Sequence, residues 1–387
     1  MKLFILAGEL SGDKLGASLV AALKSLVPNC EFQGVAGPMM QAEGIESLFP
    51  MTELSVMGIS EVLPKYLHLK RRLNETAEAV LAFQPDALIT IDSPDFSLRL
   101  AKLVKAKSNV KTIHYVAPSV WAWRSGRAAK MAAHVDHVLA LLPFEPPYMT
   151  AAGMGCDFVG HPIVSEKQAT DDEIAWFRNS TGIGDSPILL ALPGSRQSEI
   201  RRLLPIFEET ITRVHGKAND LKVVVPAASS VAELVSQTVA RWSEPPLVID
   251  PTSDQDYKKS KMAAFASANV ALAASGTVSL ELAATNTPTV VAYDMSWLSW
   301  QIMSRMALID TVTLVNIISE TKAVPEFLGP ACKAPDVAEA VCDLLTNPDA
   351  RSRQIKAMEL SMERLGRGGE QPGLRAARAV LRVVEAQ

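Results

Sequence analysis

The sequence predicts an α/β protein of two domains, each a parallel sheet with helices on both faces. Three observations carry that reading. Short β-rich apolar runs alternate with helical patterns. The alternation halts near residue 165 and restarts. At 387 residues, the chain is also too long for one ordinary core.

In the first half the strand and helix pairs are KLFILA with DKLGASLVAALKSL, DALITID with a helix from about Asp95, VKTIHYVA with a helix after Arg124, and DHVLALL with PFEPPYMTAAG. After CDFVGHPIVSEKQATDD the rhythm resumes, with PILLALPGS, LKVVVPA, PLVID, NVALAAS and PTVVAYD each leading into a helix. Repetition of the βαβ unit gives parallel strands joined by crossover helices. The domains are expected at residues 1–165 and 166–365. Residues 366–387 then supply a last helix, Leu374 to Ala386, which either crosses back to the first domain or packs on another subunit. Two tandem Rossmann-like domains with a cleft between them describe the glycosyltransferase B architecture, which leaves function to the sites.

Composition narrows the classes. Hydrophobic residues are 48% of the chain, yet no run reaches the roughly 18 apolar residues that span a bilayer. The formal charge of −4 argues against a general nucleic-acid binder, so any anionic partner must be met by a local basic patch. MKLFILAGELSGD reads as a first strand rather than a secretion signal, because its apolar part is short and an acidic loop follows at once. A cytoplasmic location is the expectation. Cys30, Cys156, Cys332 and Cys342 form no C-x-x-C pair, so neither a zinc site nor a disulfide framework is suggested.

The loops carry the chemistry. In AGELSGDKLGA, Gly8, Gly12 and Gly16 bracket the turn into the first helix, with Ser11 or Asp13 able to cap it; exposed N–H groups there can cradle an anion or a sugar hydroxyl. The glycine spacing is not the dinucleotide fingerprint, so NAD is not expected. The plain alternative is a tight turn.

ITIDSPDFSLRL puts Asp92 and Asp95 at the end of a buried strand. Either carboxylate can act as general base on a hydroxyl, and Asp95 can equally cap the following helix. No His or Glu accompanies them as a metal set would require. His114 ends the next strand, as a substrate contact or a core histidine, and His161 sits where the domains join. In HYVAPSVWAWRSGRAAK, Trp121 and Trp123 precede Arg124, Arg127 and Lys130 at a strand end, the place where parallel α/β sheets bind ligands.

In ALPGSRQSEI, Gly194 and Ser195 form a strand-to-helix turn with Arg196 facing the cleft, an arrangement suited to a diphosphate. Ser275, Gly276 and Thr277 in AASGTVSLE open a second such helix. Glu281, just beyond its first turn, can accept from both hydroxyls of a ribose. Residues 54 to 73 join Val56, Met57, Val62, Leu63, Tyr66 and Leu67 to Arg71 and Arg72. That is either a core-facing amphipathic helix with a solvated basic end or a surface that dips into anionic headgroups.

Taken together, GELSGD, DSPDF, YVAPSVWAWRSGR, LPGSRQSEI and ASGTVSLE resemble the lipid-A-disaccharide synthase family from the first strand to about residue 330. The resemblance implies an inverting, metal-independent glycosyltransferase without a cofactor. It implies transfer of 2,3-diacylglucosamine from UDP to the 6-hydroxyl of 2,3-diacylglucosamine 1-phosphate (lipid X), on the cytoplasmic face of the inner membrane of a Gram-negative bacterium, often as a homodimer. It implies Asp95 as the base and Arg196, Glu281 and Asn316 at UDP-site positions. It places Trp121 and Trp123 on the acceptor side, to pack on sugar or acyl chain, with Arg124 or Arg127 for the 1-phosphate. Three positions depart from the family pattern: Leu10 for a usual Ala, Ser165 for a frequent acid, and Gly329 for a common Gln, which removes any nucleotide contact from that side chain. A two-domain UDP-sugar epimerase and a non-catalytic lipid-binding protein of the membrane surface are the alternatives.

Overall fold

The computed structural model describes the backbone of residues 1–54, 59–123 and 126–386, and the side chains of all of these except 59–65. The chain forms two compact units. Unit 1 is Met1–Ser165 with Leu365–Gln387, and unit 2 is Glu166–Arg364.

Unit 1 runs β1 (Lys2–Ala7), α1 (Leu10–Leu26), β2 (Glu31–Val35), α2 (Pro38–Ala42), α3 (Ile59–Phe83), β3 (Ala87–Ile91), α4 (Pro94–Lys105), β4 (Lys111–Tyr115), α5 (Gly126–Ala132), β5 (His137–Ala140), α6 (Pro146–Ala151) and β6 (Gly155–Phe158). All its strand pairs are parallel, in the order β2-β1-β3-β4-β5-β6. Helices on both faces leave no room for polar alternation, so the central strands are apolar throughout: Leu3–Ala7 and Ala87–Ile89 are fully buried.

Unit 2 runs α7 (Asp171–Ser180), β7 (Ile188–Leu192), α8 (Gln197–His215), β8 (Lys222–Pro226), α9 (Ala232–Val239), β9 (Leu247–Ile249), α10 (Tyr257–Ser267), β10 (Val270–Ala273), α11 (Val278–Ala284), β11 (Thr289–Tyr293), α12 (Trp297–Met306), α13 (Leu314–Ser319), β12 (Glu326–Leu328), α14 (Ala334–Thr346) and α15 (Pro348–Arg364). Thr170 and Glu173 start it with a reciprocal capping box. Its sheet, again parallel, has the order β12-β11-β10-β7-β8-β9.

The chain then returns to unit 1 as α16 (Pro372–Glu385), which packs on α1. Ala376, Ala377, Ala379 and Val380 are fully buried there, and Arg375 donates to the Phe158 carbonyl at 2.7 Å. Of the two partners the sequence left open for the last helix, the first domain is the one α16 contacts. His161 marks the crossing: its N–H donates to the Leu365 carbonyl at 3.1 Å, and its Nδ1 accepts from the Ile163 N–H.

Each sheet has one point where strand order reverses, between β1 and β3 in unit 1 and between β7 and β10 in unit 2. Loops leaving the carboxyl ends of strands diverge there, and a crevice opens.

Candidate functional site

In unit 2 the loops after β7 and β10 flank the reversal, and they are the two glycine turns singled out in the sequence. Gly194 has φ +107, a conformation that L side chains avoid, and a Cβ there would lie 2.5 Å from Glu199 Oε2. Beyond it the Ser195 and Arg196 N–H groups both donate to Glu199 Oε2, at 3.2 and 3.3 Å. The Arg196 guanidinium and the Tyr293 hydroxyl donate to Oε1, at 3.1 and 3.2 Å. Two backbone amides, one guanidinium nitrogen and a phenol thus converge on one carboxylate at the start of α8, a donor set that also suits a phosphate. Glu199 is the anion they hold, and sequence reasoning missed it. The signal was its place three residues after the capping position.

In the loop after β10, Ser275 is half-buried, while Gly276 and Thr277 are exposed just ahead of α11. Glu281 follows, but Lys261 of α10 already grips its Oε2 at 2.6 Å. Any ribose contact is left to the other oxygen. Asn316 differs more from expectation. It is buried, its Nδ2 donates to Thr311 Oγ1 and the Val324 carbonyl, and its Oδ1 accepts from the Val324 N–H. That amide is committed to joining α13 to the approach to β12, which corrects the expectation of a direct nucleotide contact. At Gly329, φ is +53 and the Trp300 ring of α12 fills the space a side chain would need.

In unit 1 the loops after β1 and β3 touch at the reversal. Gly8 is glycine because a Cβ there would sit 2.3 Å from Ser93 Oγ. Asp92 and Ser93 follow one another in the left-handed region, at φ +51 and +45, and Val116 at the end of β4 has φ +84. Such backbone costs about 1–3 kcal/mol per residue and clusters at functional sites. It is held by bonds from the Asp92 N–H to the Tyr115 carbonyl (2.9 Å) and from Ser97 Oγ to the Asp92 carbonyl (2.7 Å).

Asp95 comes next, exposed in the first turn of α4, where the helix dipole favours a negative side chain. The capping position is Ser93, so Asp95 is not the helix cap. With Arg99 and Lys102 on the same helix, Arg127 and Lys130 on α5, and His114 from β4, Asp95 lines a pocket of about 220 Å³. His114 is buried and shares a 2.8 Å hydrogen bond between Nδ1 and Thr90 Oγ1. Burial pushes its pKa down to about 4, so the ring is neutral.

Several expectations for unit 1 are corrected. Asp13 caps no part of α1; fully buried, it accepts from the N–H groups of Gly37, Met39 and Met40 and so ties down α2. Gly12 and Gly16 lie inside α1 and are buried, leaving Gly8 in the turn and Ser11 exposed in the first helical turn. Trp121 is 9% exposed, stands edge-on to Phe144 at 5.0 Å, and donates Nε1–H to Glu145 Oε1 at 3.3 Å. It anchors the loop instead of offering a face to a ligand. Trp123 is half-buried, and Arg124 lies outside the described residues.

Glu145 was also missed. Only 3% exposed, it accepts from Trp121 and from the Leu142 N–H at 3.0 Å, and burial pushes its pKa up to about 7.

On α3, Tyr66 and Leu67 are exposed at 49% and 79%, and Arg71 is exposed and bonded to His68. Arg72 is corrected: it grips Glu53 with two nitrogens at 2.7 and 2.8 Å, bonds Glu75, and lies over the Phe49 ring. The hydrogen-bonded Arg72 guanidinium lowers the Glu53 pKa to about 2. Val56 and Met57 lie outside the described residues, as do the side chains of Val62 and Leu63.

A family model described as lipid-A-disaccharide synthetase matches residues 3–378. A lipid-A-disaccharide synthase of Ruegeria pomeroyi is 58% identical over 383 residues, covering 98% of this chain and 95% of that protein. One of Rhodospirillum centenum is 45% identical, covering 99% and 94%. Among solved structures, a putative UDP-N-acetylglucosamine 2-epimerase from Listeria monocytogenes superposes with a TM-score of 0.65 at 13% identity, covering 100% of this chain and 96% of that one. The UDP-GlcNAc 2-epimerase of Neisseria meningitidis, bound to UDP-GlcNAc, gives 0.64 at 11% identity, with both chains covered in full. At that identity the epimerases share the fold alone.

Proposed function

The chain belongs to the lipid-A-disaccharide synthetase family, and from that premise we propose the reaction in detail. As a glycosyltransferase it moves 2,3-diacylglucosamine from UDP to the 6-hydroxyl of lipid X, releasing UDP and leaving a β-1′,6 linkage. Asp95 removes the hydroxyl proton as that oxygen attacks the anomeric carbon opposite the UDP. The bond from that carbon to the diphosphate breaks, and its electron pair leaves with UDP. The Ser195 and Arg196 N–H groups and the Arg196 guanidinium take the developing charge, which requires the Glu199 carboxylate to give up those donors. No cofactor has a part in these steps.

The observation that carries the reading is the position of Asp95: exposed, in the first turn of a helix, separated by one residue from the strained pair Asp92 and Ser93, on a pocket rich in cations. The acyl chains of both substrates place the enzyme at a membrane surface, the inner face of the inner membrane. Exposed Tyr66 and Leu67 beside Arg71 suit that role. Among the described residues no helix is long and apolar enough to cross a membrane.

The test supplies the UDP-linked and 1-phosphate lipids together and weighs the product. A disaccharide 1-phosphate with stoichiometric UDP is expected. Epimer formation from UDP-N-acetylglucosamine alone, or vesicle binding without UDP release, would replace this reading with one of its alternatives.

A further inference from the structure

The pocket between α4 and α5 has more charge than proton abstraction needs. Arg99 and Lys102 stand three residues apart on α4, and Arg127 and Lys130 three apart on α5. Like charges at that spacing repel along a helix, and here two such pairs share one pocket. None of the four makes an ion pair with a carboxylate among the described residues, whereas the half-buried Arg72, Lys105 and Lys261 each have an acid partner. Asp95 is the one acid on the lining among the described residues. His114 beside it is neutral, so it neither repels a cation nor competes for an anion. Arg127 is half-buried, so this is more than a solvated basic face.

We propose that this pocket is a phosphate-monoester subsite, in which Arg99, Lys102, Arg127 and Lys130 hold the phosphate of the acceptor while Asp95 meets its hydroxyl. The assignment rests on the reading given under Proposed function and adds what fixes the acceptor's orientation. In a glucosamine 1-phosphate the phosphate is on C1 and the reactive hydroxyl on the carbon attached to C5. C1 and C5 both flank the ring oxygen, so the two groups are carried at one edge of the sugar, whichever face the phosphate takes. A single pocket with cations and a base on its lining, as here, can meet both. A monoester carries about −1.5 to −2 charge near neutral pH, and relieving the repulsion within the two cation pairs adds to its attraction. An acceptor with two free hydroxyls would then react only at the one that the phosphate steers to Asp95.

The experiment compares two acceptors, the diacylglucosamine 1-phosphate and its dephosphorylated counterpart, in neutral detergent micelles, with wild type, Lys102→Ala, Lys130→Ala and Arg127→Lys. Lys102 and Lys130 are exposed, so their truncation leaves the fold intact. For the phosphorylated acceptor the KM of each lysine variant should rise about tenfold, the loss expected for one charge-assisted contact, with the KM for the UDP-linked donor unchanged. For the dephosphorylated acceptor the variants should match wild type. Arg127→Lys keeps the charge but loses the fork, and should fall between.

Equal losses with both acceptors, or no loss with either, would overturn the subsite. So would a defect that appears only when phosphatidylglycerol vesicles replace the neutral micelles, which would make the cations a lipid-headgroup contact. Failure of wild type to form any disaccharide is a different outcome, because it removes the reaction itself.

Discussion

Each sheet is parallel throughout and has a single reversal of order, yet the two carboxyl edges are built differently. In unit 2 the edge is led by backbone, with Gly194 at φ +107, the Ser195 and Arg196 N–H groups and the turn at Gly276, to which the Arg196 and Tyr293 side chains add two donors. In unit 1 it is side chain: Asp95, four cations, a buried His114 and a tryptophan pinned by a buried glutamate. Non-glycine residues bear the left-handed backbone there, at Asp92, Ser93 and Val116. A diphosphate offers many equivalent oxygens, which amides at a helix start satisfy without choosing an orientation. A sugar hydroxyl that must lose its proton needs one base in one place, and on the proposed reading the left-handed residues 92 and 93 set where Asp95 begins its helix.

Substitutions can break that contrast. Trp121→Ala removes an aromatic packed on Phe144 and strands the buried Glu145. A loss of about 3–5 kcal/mol is expected in denaturant unfolding, with a smaller loss for half-buried Trp123→Ala. Equal losses would mean that the two tryptophans share one role.

Glu145 itself predicts a pH dependence. Its folded pKa of about 7 lies above its ordinary 4.5, so the native state binds the proton more tightly than the unfolded chain does. Stability therefore falls as pH rises from about 4.5 and levels off above about 7, a total on the order of 3 kcal/mol. Glu145→Gln should remove that penalty, so its Tm advantage over wild type should widen between pH 5 and pH 8. A constant gap would show that Glu145 does not titrate there.

Backbone substitutions should have opposite signs at the two edges. Gly194→Ala should cost about 1–3 kcal/mol and weaken UDP binding. Ser93→Gly, by relieving strain, should leave stability unchanged or raise it by up to about 1 kcal/mol while lowering turnover. Smallest is Glu199→Gln, which weakens the internal anion's hold on Arg196. UDP affinity measured by calorimetry should rise a few fold, by about 1 kcal/mol, and a fall would mean that Glu199 positions the loop for the nucleotide.

Much of this was legible in the sequence because parallel strands are apolar runs and their loops carry glycine. The βαβ rhythm exposed β1, β3, β4, β5 and β7 to β11, and the turns at Gly194 and Gly276. The edge strands β2 (EFQGV), β6 (GCDF) and β12 (EFL) escaped because they are short and mix polar with apolar residues. Asp13, Arg72 and Asn316 looked available because charge and amide groups usually are. Their partners, Gly37 to Met40, Glu53 and Val324, are brought to them by tertiary folding. Glu145 was hidden for the same reason, since only the packed loop of Trp121 makes that glutamate buried.

The central claim is that unit 1 supplies the base and unit 2 holds the leaving diphosphate. The most direct measurement is single-turnover disaccharide formation by Asp95→Asn, alongside calorimetric UDP binding. The account predicts a loss of about 10² to 10⁴-fold in rate with UDP affinity within about twofold of wild type. A rate within a few fold of wild type would contradict it, and so would a parallel collapse of UDP binding.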